Sequence, residues 1–340
     1  MTHVMRTLVA LASTCSVVTL AAQAPSPRAQ DDPAPGSRAA LKWPQGYIEP
    51  GTPGMKYVTP ETPQGTGPYK AIMATDPGAP EFVLYYPANL NALGATKLPI
   101  LVWGNGSCTY MGNKFRNFLT EIASYGYLAL GGGPMGPGSA ETITISSNPW
   151  TPSAIGAKPP DTPADPARKR VTVELLGKGI DWAIAENKRQ GSKFFGKLDT
   201  SAVAVMGQSC GGGLTANFGA DPRVKTIGVW SSGSADDRVV ARRVPALYIS
   251  GDQTYDSAYP RALENFKNNN SGVPTFYAVR KGMTHLGTYR QYLGGELAPI
   301  GTAWLQWQLR GDQTAARYFK GADCKLCKDA NWHVEKKQID

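Results

Sequence analysis

The stretch AVAVMGQSCGGG, residues 202–213, decides the fold that we expect. Its first five residues are apolar, which is typical of a strand covered on both faces. The motif G-x-S-x-G follows from Gly207 to Gly211, and a helix of small residues is predicted directly after it. Between a strand and a helix, these glycines permit a sharp turn that presents the Ser209 hydroxyl above the sheet. A chance match in a flexible loop is the alternative, but the flanking elements favour a nucleophile.

Predicted strands and helices alternate on both sides of this stretch. Runs rich in β-branched and aromatic residues predict eight strands, at 69–74, 82–87, 98–104, 127–132, 202–207, 226–231, 246–251 and 275–280. Helical patterns lie between or after them, at 113–126, 170–187, 212–221, 257–269 and 300–312. This alternation predicts an α/β fold with a mostly parallel, eight-stranded sheet and helices on both of its faces.

The first 24 residues have the layout of a secretory signal peptide. Arg6 precedes an apolar stretch from Leu8 to Ala22, and the segment ends in the small-residue pattern Ala22-Gln-Ala24. The apolar part is short for a membrane span, so an uncleaved anchor is the weaker alternative. We therefore expect a secreted or periplasmic protein with no membrane association after signal cleavage.

The rest of the chain divides into three parts by composition. Residues 25–66 form a Pro/Gly-rich N-terminal segment, residues 67–320 the catalytic α/β domain, and residues 321–340 a disulfide-bearing C-terminal tail. One interruption of the domain, residues 131–166, contains eight prolines and little apolar periodicity. It is too long for an ordinary connection. We favour a functional loop over the carboxyl edge of the sheet; a disordered insertion is the alternative.

The charge balance is basic. The formal net charge is +9, and removal of Arg6 with the signal peptide leaves +8. Such a balance favours acidic substrates or polyanions. The charges are scattered, however, with no Lys/Arg block beyond ARKR at 167–170 and no stripe of aromatic and basic residues. We therefore expect a solvated surface and no nucleic-acid partner.

A serine nucleophile needs a base, and the sequence leaves one good candidate. Of the three histidines, His3 belongs to the signal peptide and His333 to the C-terminal tail. His285, in GMTHLG, follows the last predicted strand and is predicted to accept the proton of Ser209. A histidine in an unremarkable surface loop is the alternative reading.

The imidazole in turn needs a carboxylate that fixes its tautomer and stabilises its charged form. Asp252 and Asp256, in GDQTYDSAYP, both follow the strand predicted at 246–251. Asp252 directly abuts the strand and is suited to shaping the turn. Asp256 lies farther out with more reach toward a histidine loop, so we favour Asp256 and keep Asp252 as the alternative.

Acyl transfer also needs hydrogen-bond donors for an oxyanion. The backbone N–H of Cys210 is the first candidate, because it follows the nucleophile. The loop WGNGSC, residues 103–108, supplies the second, with Ser107 or Cys108 favoured as the donor. Because Cys108 and Cys210 lie on these two loops, we predict that they form a disulfide. Two free buried thiols are less compatible with an exported protein.

The remaining cysteines after signal cleavage, Cys324 and Cys327, form the motif CKLC. Redox and zinc motifs share this spacing, but the motif does not open a helix after a strand. There is also no second CxxC to complete a zinc site. We predict a short local disulfide. The sequence shows no cluster of His, Asp and Glu with the spacing of metal ligands, so no metal or organic cofactor is expected.

Together, LVWGNGSC, GQSCGGG, DPRVKTIGVWSSG, DSAY and GMTH resemble secreted α/β-hydrolases of the dienelactone-hydrolase, cutinase-like and polyester-hydrolase branch. The resemblance covers about residues 67–320. It implies the α/β-hydrolase fold and a Ser-Asp-His triad. In that branch the catalytic acid commonly precedes a short segment similar to SAY. The resemblance therefore implies that Asp256, in DSAY, is the acid.

The polyester hydrolases also carry a substrate-flanking tryptophan, and Trp230 stands at the matching position. A core aromatic is the equally weighted alternative for Trp230. The resemblance has one clear departure, since those enzymes usually have an aromatic residue in the oxyanion loop where this chain has Ser107 and Cys108. Activity on polymers therefore does not carry over safely.

These features predict a secreted serine hydrolase that cleaves small-molecule or polymeric carboxylic esters through an acyl-enzyme. The same triad acting on an amide, a polyanionic polymer or a β-diketone is the first alternative. A non-catalytic secreted binding protein is the second, and the complete set of Ser209, Asp256 and His285 argues against it.

Overall fold

The computed structural model describes residues 64–136, 169–234, 243–268 and 272–340, and the backbone of residues 56–57 and 143–144. The predicted signal peptide and most of the predicted segment 25–66 lie outside the described residues. So does residue range 137–168 except for 143–144, which pairs antiparallel with 56–57. The proposed role of residues 131–166 over the sheet edge therefore falls largely outside this part of the chain.

Nine strands of the described part form one sheet. They are β1 Ala71–Ala74, β2 Phe82–Pro87, β3 Leu98–Gly104, β4 Leu128–Gly132, β5 Leu198–Gln208, β6 Val224–Trp230, β7 Ala246–Ser250, β8 Thr275–Arg280 and β9 Trp332–Lys337. Their spatial order is β1-β2-β4-β3-β5-β6-β7-β8-β9. Strands β3 to β8 run parallel, whereas β2 is antiparallel to both neighbours and β9 is antiparallel to β8.

The prediction of a mostly parallel α/β sheet is confirmed, but the predicted count of eight strands is wrong. The ninth strand, β9, lies in the segment interpreted as a tail, and its six residues all pair with β8. The sequence WHVEKK offers one apolar face, Trp332 and Val334, and otherwise polar side chains. Such a pattern suits a half-exposed edge strand, which is hard to distinguish from a polar tail by composition alone.

Seven α-helices complete the described part: α1 Arg116–Ser124, α2 Val173–Lys188, α3 Cys210–Thr215, α4 Tyr259–Asn268, α5 Leu297–Arg310, α6 Gln313–Ala316 and α7 Lys325–Lys328. The first five correspond to the five predicted helical segments. Short 3-10 helices occur at Leu90–Leu93, Gly106–Cys108, Ala216–Ala220 and Tyr292–Gly294. None of the described helices combines the length and apolar character needed to cross a bilayer.

The helices cover both faces of the sheet, as the apolar central strands require. One buried cluster joins Phe118 of α1 and Trp304 of α5 to Trp103 of β3. The other cluster joins Ile180 of α2 and Phe266 of α4 to side chains on the opposite face of the same sheet. Burial on both faces leaves the carboxyl edge of the parallel strands as the place where loops meet.

The chain from Phe319 to the C-terminus, residues 319–340, packs into the first of these clusters, so we expect its packing to stabilise the whole domain. Phe319 is fully buried and meets Phe276 and Trp304 edge to face, at centroid distances of 5.0 and 5.1 Å. We expect Phe319→Ala to lower the free energy of unfolding by about 3–5 kcal/mol, measured by urea denaturation, because it leaves a cavity. Phe195→Ala is the matched control, since Phe195 is 50% exposed. A loss for Phe319→Ala no larger than that of the control would contradict this packing role.

Candidate active site

Ser209 occupies a strained backbone position between β5 and α3. Its φ of 53° and ψ of −124° lie outside the regions that a residue with a side chain normally adopts. Two hydrogen bonds stabilise this backbone conformation. The Ser209 N–H donates to the Trp230 carbonyl at 2.9 Å, and the Ser209 carbonyl accepts from the Ser232 hydroxyl at 2.5 Å. The turn that the sequence motif predicted is therefore present, with Ser209 at its tip.

The turn depends on a backbone contact that excludes side chains. A Cβ atom on Gly211 would lie 2.1 Å from the carbonyl carbon and oxygen of Gly104, at the end of β3. The Gly211 N–H donates to the Asn105 carbonyl at 3.1 Å. The first turn of α3 therefore rests directly on the end of β3, which brings Ser209 and the loop after β3 together.

The predicted base and acid complete a continuous chain of hydrogen bonds. His285 Nε2 lies 2.8 Å from Ser209 Oγ, and His285 Nδ1 lies 2.7 Å from Asp256 Oδ1. The Asp256 side chain is fully buried, whereas the His285 side chain is 27% exposed. The three side chains that sequence reasoning selected from three separate loops thus meet in one site, with geometry suited to proton transfer from serine to histidine.

The environment of Asp256 keeps it ionised. Burial raises the pKa of this carboxyl, but the hydrogen bond and charge of His285, with the N–H groups of Ala258 and Gly251, outweigh burial and hold the pKa below its usual value. Those N–H groups donate to Asp256 Oδ1 and Oδ2 at 2.9 and 2.8 Å. A carboxylate held in this state orients the imidazole and stabilises its protonated form.

Asp252, the alternative acid, has a different task. Its carboxylate accepts from the N–H groups of Gly282 and Thr254, both at 2.9 Å, and it makes no hydrogen bond with His285 in the described residues. Burial raises the pKa of Asp252, and these backbone donors outweigh it and lower the pKa overall. Asp252 therefore shapes the loop that carries Asp256, residues 251–258, which we call the acid loop, and joins it to the chain leading to His285.

The backbone donors around the turn agree only in part with the expected oxyanion site. The N–H groups of Cys210, Asn105, Gly106 and Ser107 make no hydrogen bond within the part of the chain that the structure describes. The N–H of Cys108 donates to the Asn105 carbonyl at 3.1 Å. The expectation that Cys108 is a donor is therefore wrong for this state, because the tight turn at 106–108 uses its N–H. Cys210 and Ser107 remain candidates, and Asn105 and Gly106 join them.

Both predicted cysteine pairs are at bonding distance. Cys108 and Cys210 form a disulfide with a Cα–Cα distance of 5.2 Å across 102 residues of sequence. Cys324 and Cys327 form the second, with a Cα–Cα distance of 4.9 Å. The first bond joins the loop after β3 to the residue after Ser209, so it fixes the two sets of candidate donors relative to each other.

Trp230 does not line the site. Its side chain is fully buried at the end of β6 and packs edge to face on Phe118 and Tyr289, at 5.6 and 5.9 Å. The core-aromatic alternative is therefore correct, and contact with a substrate is ruled out for Trp230 in this state. Its contribution to the site is its backbone carbonyl, which holds the Ser209 N–H.

Two buried amide side chains belong to the site although sequence reasoning did not select them. Asn105 is fully buried, and its Nδ2 donates to the carbonyls of Thr109, Met111 and Gly132 at 2.9, 3.0 and 2.7 Å. Gln208, 4% exposed, donates from Nε2 to the His285 carbonyl at 2.9 Å. Their positions, directly after β3 and directly before the nucleophile, were the available signal.

No group of three or more His, Cys, Asp or Glu side chains suited to a metal ion occurs among the described residues. No protein-family model matches the chain, and no curated protein is significantly similar to it.

Substitution of the two candidate acids is expected to change the reactivity of Ser209 to different extents. We expect Asp256→Asn to slow the reaction of Ser209 with a fluorophosphonate probe by about 10³–10⁴-fold, because the amide favours the wrong tautomer of His285. Asp252→Asn, the matched control, should slow it by less than about tenfold. Rates are measured by mass spectrometry of the labelled protein. A larger effect at Asp252 than at Asp256 would reverse the assignment.

The disulfide between Cys108 and Cys210 should stabilise the domain and its reactive site together. In the chain-entropy description, closing a loop of this length contributes roughly 4–5 kcal/mol. We expect the Cys108→Ser/Cys210→Ser double variant to lose stability of that order in urea denaturation and to label more slowly with the probe. The Cys324→Ser/Cys327→Ser variant, which opens a short loop, should lose less. Finding Cys108 unpaired by non-reducing peptide mapping would contradict the pairing.

Proposed function

We propose that the protein is a serine hydrolase that cleaves carboxylic esters through an acyl-enzyme. The observation that carries this proposal is the continuous contact of Ser209 Oγ, the His285 ring and the buried Asp256 carboxylate. A serine hydroxyl is weakly nucleophilic unless a base lies within hydrogen-bond reach, and the base works best when a carboxylate orients it. Both conditions are met at Ser209.

The reaction would proceed in two halves. Ser209 Oγ attacks the ester carbonyl while its proton passes to His285 Nε2, and the resulting oxyanion is bound by backbone N–H groups. His285 then gives the proton to the departing alkoxide, which leaves as the alcohol, and the acyl group stays on Ser209. Water, deprotonated by His285, attacks this acyl-enzyme and releases the acid with the serine hydroxyl restored.

Backbone N–H groups would bind the oxyanion that forms from the ester carbonyl. The N–H of Cys210 is free in the described part of the chain and follows the nucleophile directly. The free N–H groups of residues 105–107 lie on the loop that the disulfide and the Gly211–Asn105 hydrogen bond hold against α3. Donors fixed in advance stabilise charge that develops on the carbonyl oxygen, which is a large contribution to catalysis in sites of this kind.

The arrangement of the strands supports the α/β-hydrolase fold. An antiparallel β2 precedes the parallel strands, the nucleophile follows β5, the acid follows β7 and the histidine follows β8. The order of the triad along the chain, serine then acid then histidine, is that of this fold. We extend the proposal to the dienelactone-hydrolase, cutinase-like and polyester-hydrolase branch on the motifs alone. The burial of Trp230 removes one argument for polymeric substrates.

Export is part of the same proposal. Two disulfide pairs in the described residues suit an oxidising compartment, and the first 24 residues have the layout of a signal peptide. We therefore propose that the enzyme works in the periplasm or outside the cell.

A series of p-nitrophenyl esters of increasing acyl length tests this function. Wild type is expected to release p-nitrophenol, and Ser209→Ala to lose at least about 10³-fold in kcat/KM because the nucleophile is gone. Quenched reactions should also show one acyl group on Ser209 by mass spectrometry. No turnover of any ester by the folded wild type would refute esterase activity, and turnover that survives in Ser209→Ala would refute the site.

If all the esters fail, amide, polyanionic-polymer and β-diketone substrates are tested with the same variant pair. A folded wild-type protein that turns over none of them and leaves Ser209 unlabelled by a fluorophosphonate would support the non-catalytic binding protein instead.

A further inference from the structure

We propose that Gln208 is a positioning residue that holds the histidine loop, residues 281–287, at the correct distance from the nucleophile. This inference rests on the proposed function, since it concerns the transfer of the serine proton to His285. Gln208 is the last residue of β5, directly before Ser209, and its side chain is almost completely buried. Its Nε2 donates to the backbone carbonyl of His285 at 2.9 Å.

Three hydrogen bonds join the histidine loop to the loop that carries the acid. The His285 N–H donates to the Tyr255 carbonyl at 3.1 Å, and the Asp252 N–H donates to the Met283 carbonyl at 2.8 Å. The Asp252 carboxylate also accepts from the Gly282 N–H at 2.9 Å. These bonds set the separation of His285 from the acid loop, but none of them reaches the strand that carries Ser209.

Gln208 supplies the missing connection. Apart from the contact between His285 and Ser209 themselves, its amide makes the one hydrogen bond between residues 198–215 and the histidine loop in the described structure. Ser209 and His285 must come within hydrogen-bond reach for the proton to move, and small displacements of reacting groups are costly in rate. An anchor on the backbone of His285, one residue from the nucleophile, controls that separation directly.

The same side chain also contacts the loop that carries the candidate oxyanion donors. A Cβ atom on Gly106 would lie 2.1 Å from Gln208 Oε1, so the amide fills the space beside the Gly106 backbone. Gln208 therefore lies between the histidine loop and the oxyanion loop. Its Nε2 holds the backbone of His285, and its Oε1 packs against the backbone of Gly106, beside the candidate donors.

Labelling of Ser209 by a fluorophosphonate tests the inference without requiring that an ester is the natural substrate. In this reaction Ser209 Oγ forms a bond to phosphorus, fluoride leaves, and the serine proton passes to His285. We expect Gln208→Ala to slow labelling about 10–100-fold at pH 8 while the melting temperature changes little. In the ester assay the same loss should fall on kcat, with KM within about threefold, because the substrate does not bind through Gln208.

Gln208→Glu adds a readout that a merely structural role would not move. At pH 8 its carboxylate cannot donate to the His285 carbonyl, so labelling should be slow. As the pH falls, protonation restores an O–H donor, and burial favours this neutral form. We expect the ratio of variant to wild-type labelling rates to recover at least about threefold between pH 8 and pH 5.

Gln313→Glu is the matched control, because the exposed Gln313 also donates from Nε2 to a backbone carbonyl, that of Gly311 at 2.9 Å. Its labelling ratio should stay near one at both pH values. Wild-type rates for Gln208→Ala, or a Gln208→Glu ratio that does not change with pH, would overturn the positioning role while leaving the proposed function intact. A folded wild type that is not labelled at all would overturn the proposed function and this inference with it.

Discussion

The close approach of the first turn of α3 to the end of β3 is the constraint on which the rest of the site depends. Gly104, Gly207 and Gly211 meet backbone to backbone, and a Cβ atom on Gly211 would overlap the Gly104 carbonyl group at 2.1 Å. Any side chain there would lift α3 from the sheet. The helix would then carry the Cys210 N–H away from the free N–H groups of residues 105–107 in the loop after β3.

This contact holds together a region of unusual backbone strain. Ser107, Cys108 and Ser209 all have positive φ values, 57°, 48° and 53°, and each such residue costs on the order of 1–3 kcal/mol. The disulfide between Cys108 and Cys210 joins the strained segment at Ser107 and Cys108 to the residue after the strained Ser209, and its contribution of roughly 4–5 kcal/mol is of the same size as the strain. Asn105 adds three hydrogen bonds to backbone carbonyls. The Cys108–Cys210 bond therefore offsets part of the cost of the backbone conformation around Ser209.

The sequence was sufficient where one residue type or one local pattern carried the information. The strand, turn and helix around Ser209 could be predicted because the apolar run and the glycines are contiguous in the sequence. His285 could be selected because the chain has only three histidines, and Asp256 could be separated from Asp252 by its reach. The second disulfide followed from the even number of cysteines in a chain expected to be exported, from the position of CKLC near the C-terminus and from the lack of a second CxxC.

Features that depend on distant partners were not readable in the same way. The strand β9 exists because β8 has a free edge, and its polar sequence gives little sign of this. Trp230 looked equally suited to a substrate contact or to the core until Phe118 and Tyr289 were seen to enclose it. The roles of Asn105 and Gln208 depend on carbonyls 27 and 77 residues away along the chain. No local pattern reports such pairs.

The order of the strands explains why the loop of His285 is held by hydrogen bonds on two sides. Ser209 follows β5 and His285 follows β8, three strand spacings away, or about 14 Å across the sheet. The histidine loop therefore has to cross the ends of β7 and β6 for His285 to reach Ser209. The acid loop after β7 supports the near side of this span through Tyr255 and Asp252. The far side ends at β5, where the Gln208 amide meets the His285 carbonyl, so the separation of serine and histidine is governed from the strand that carries the nucleophile.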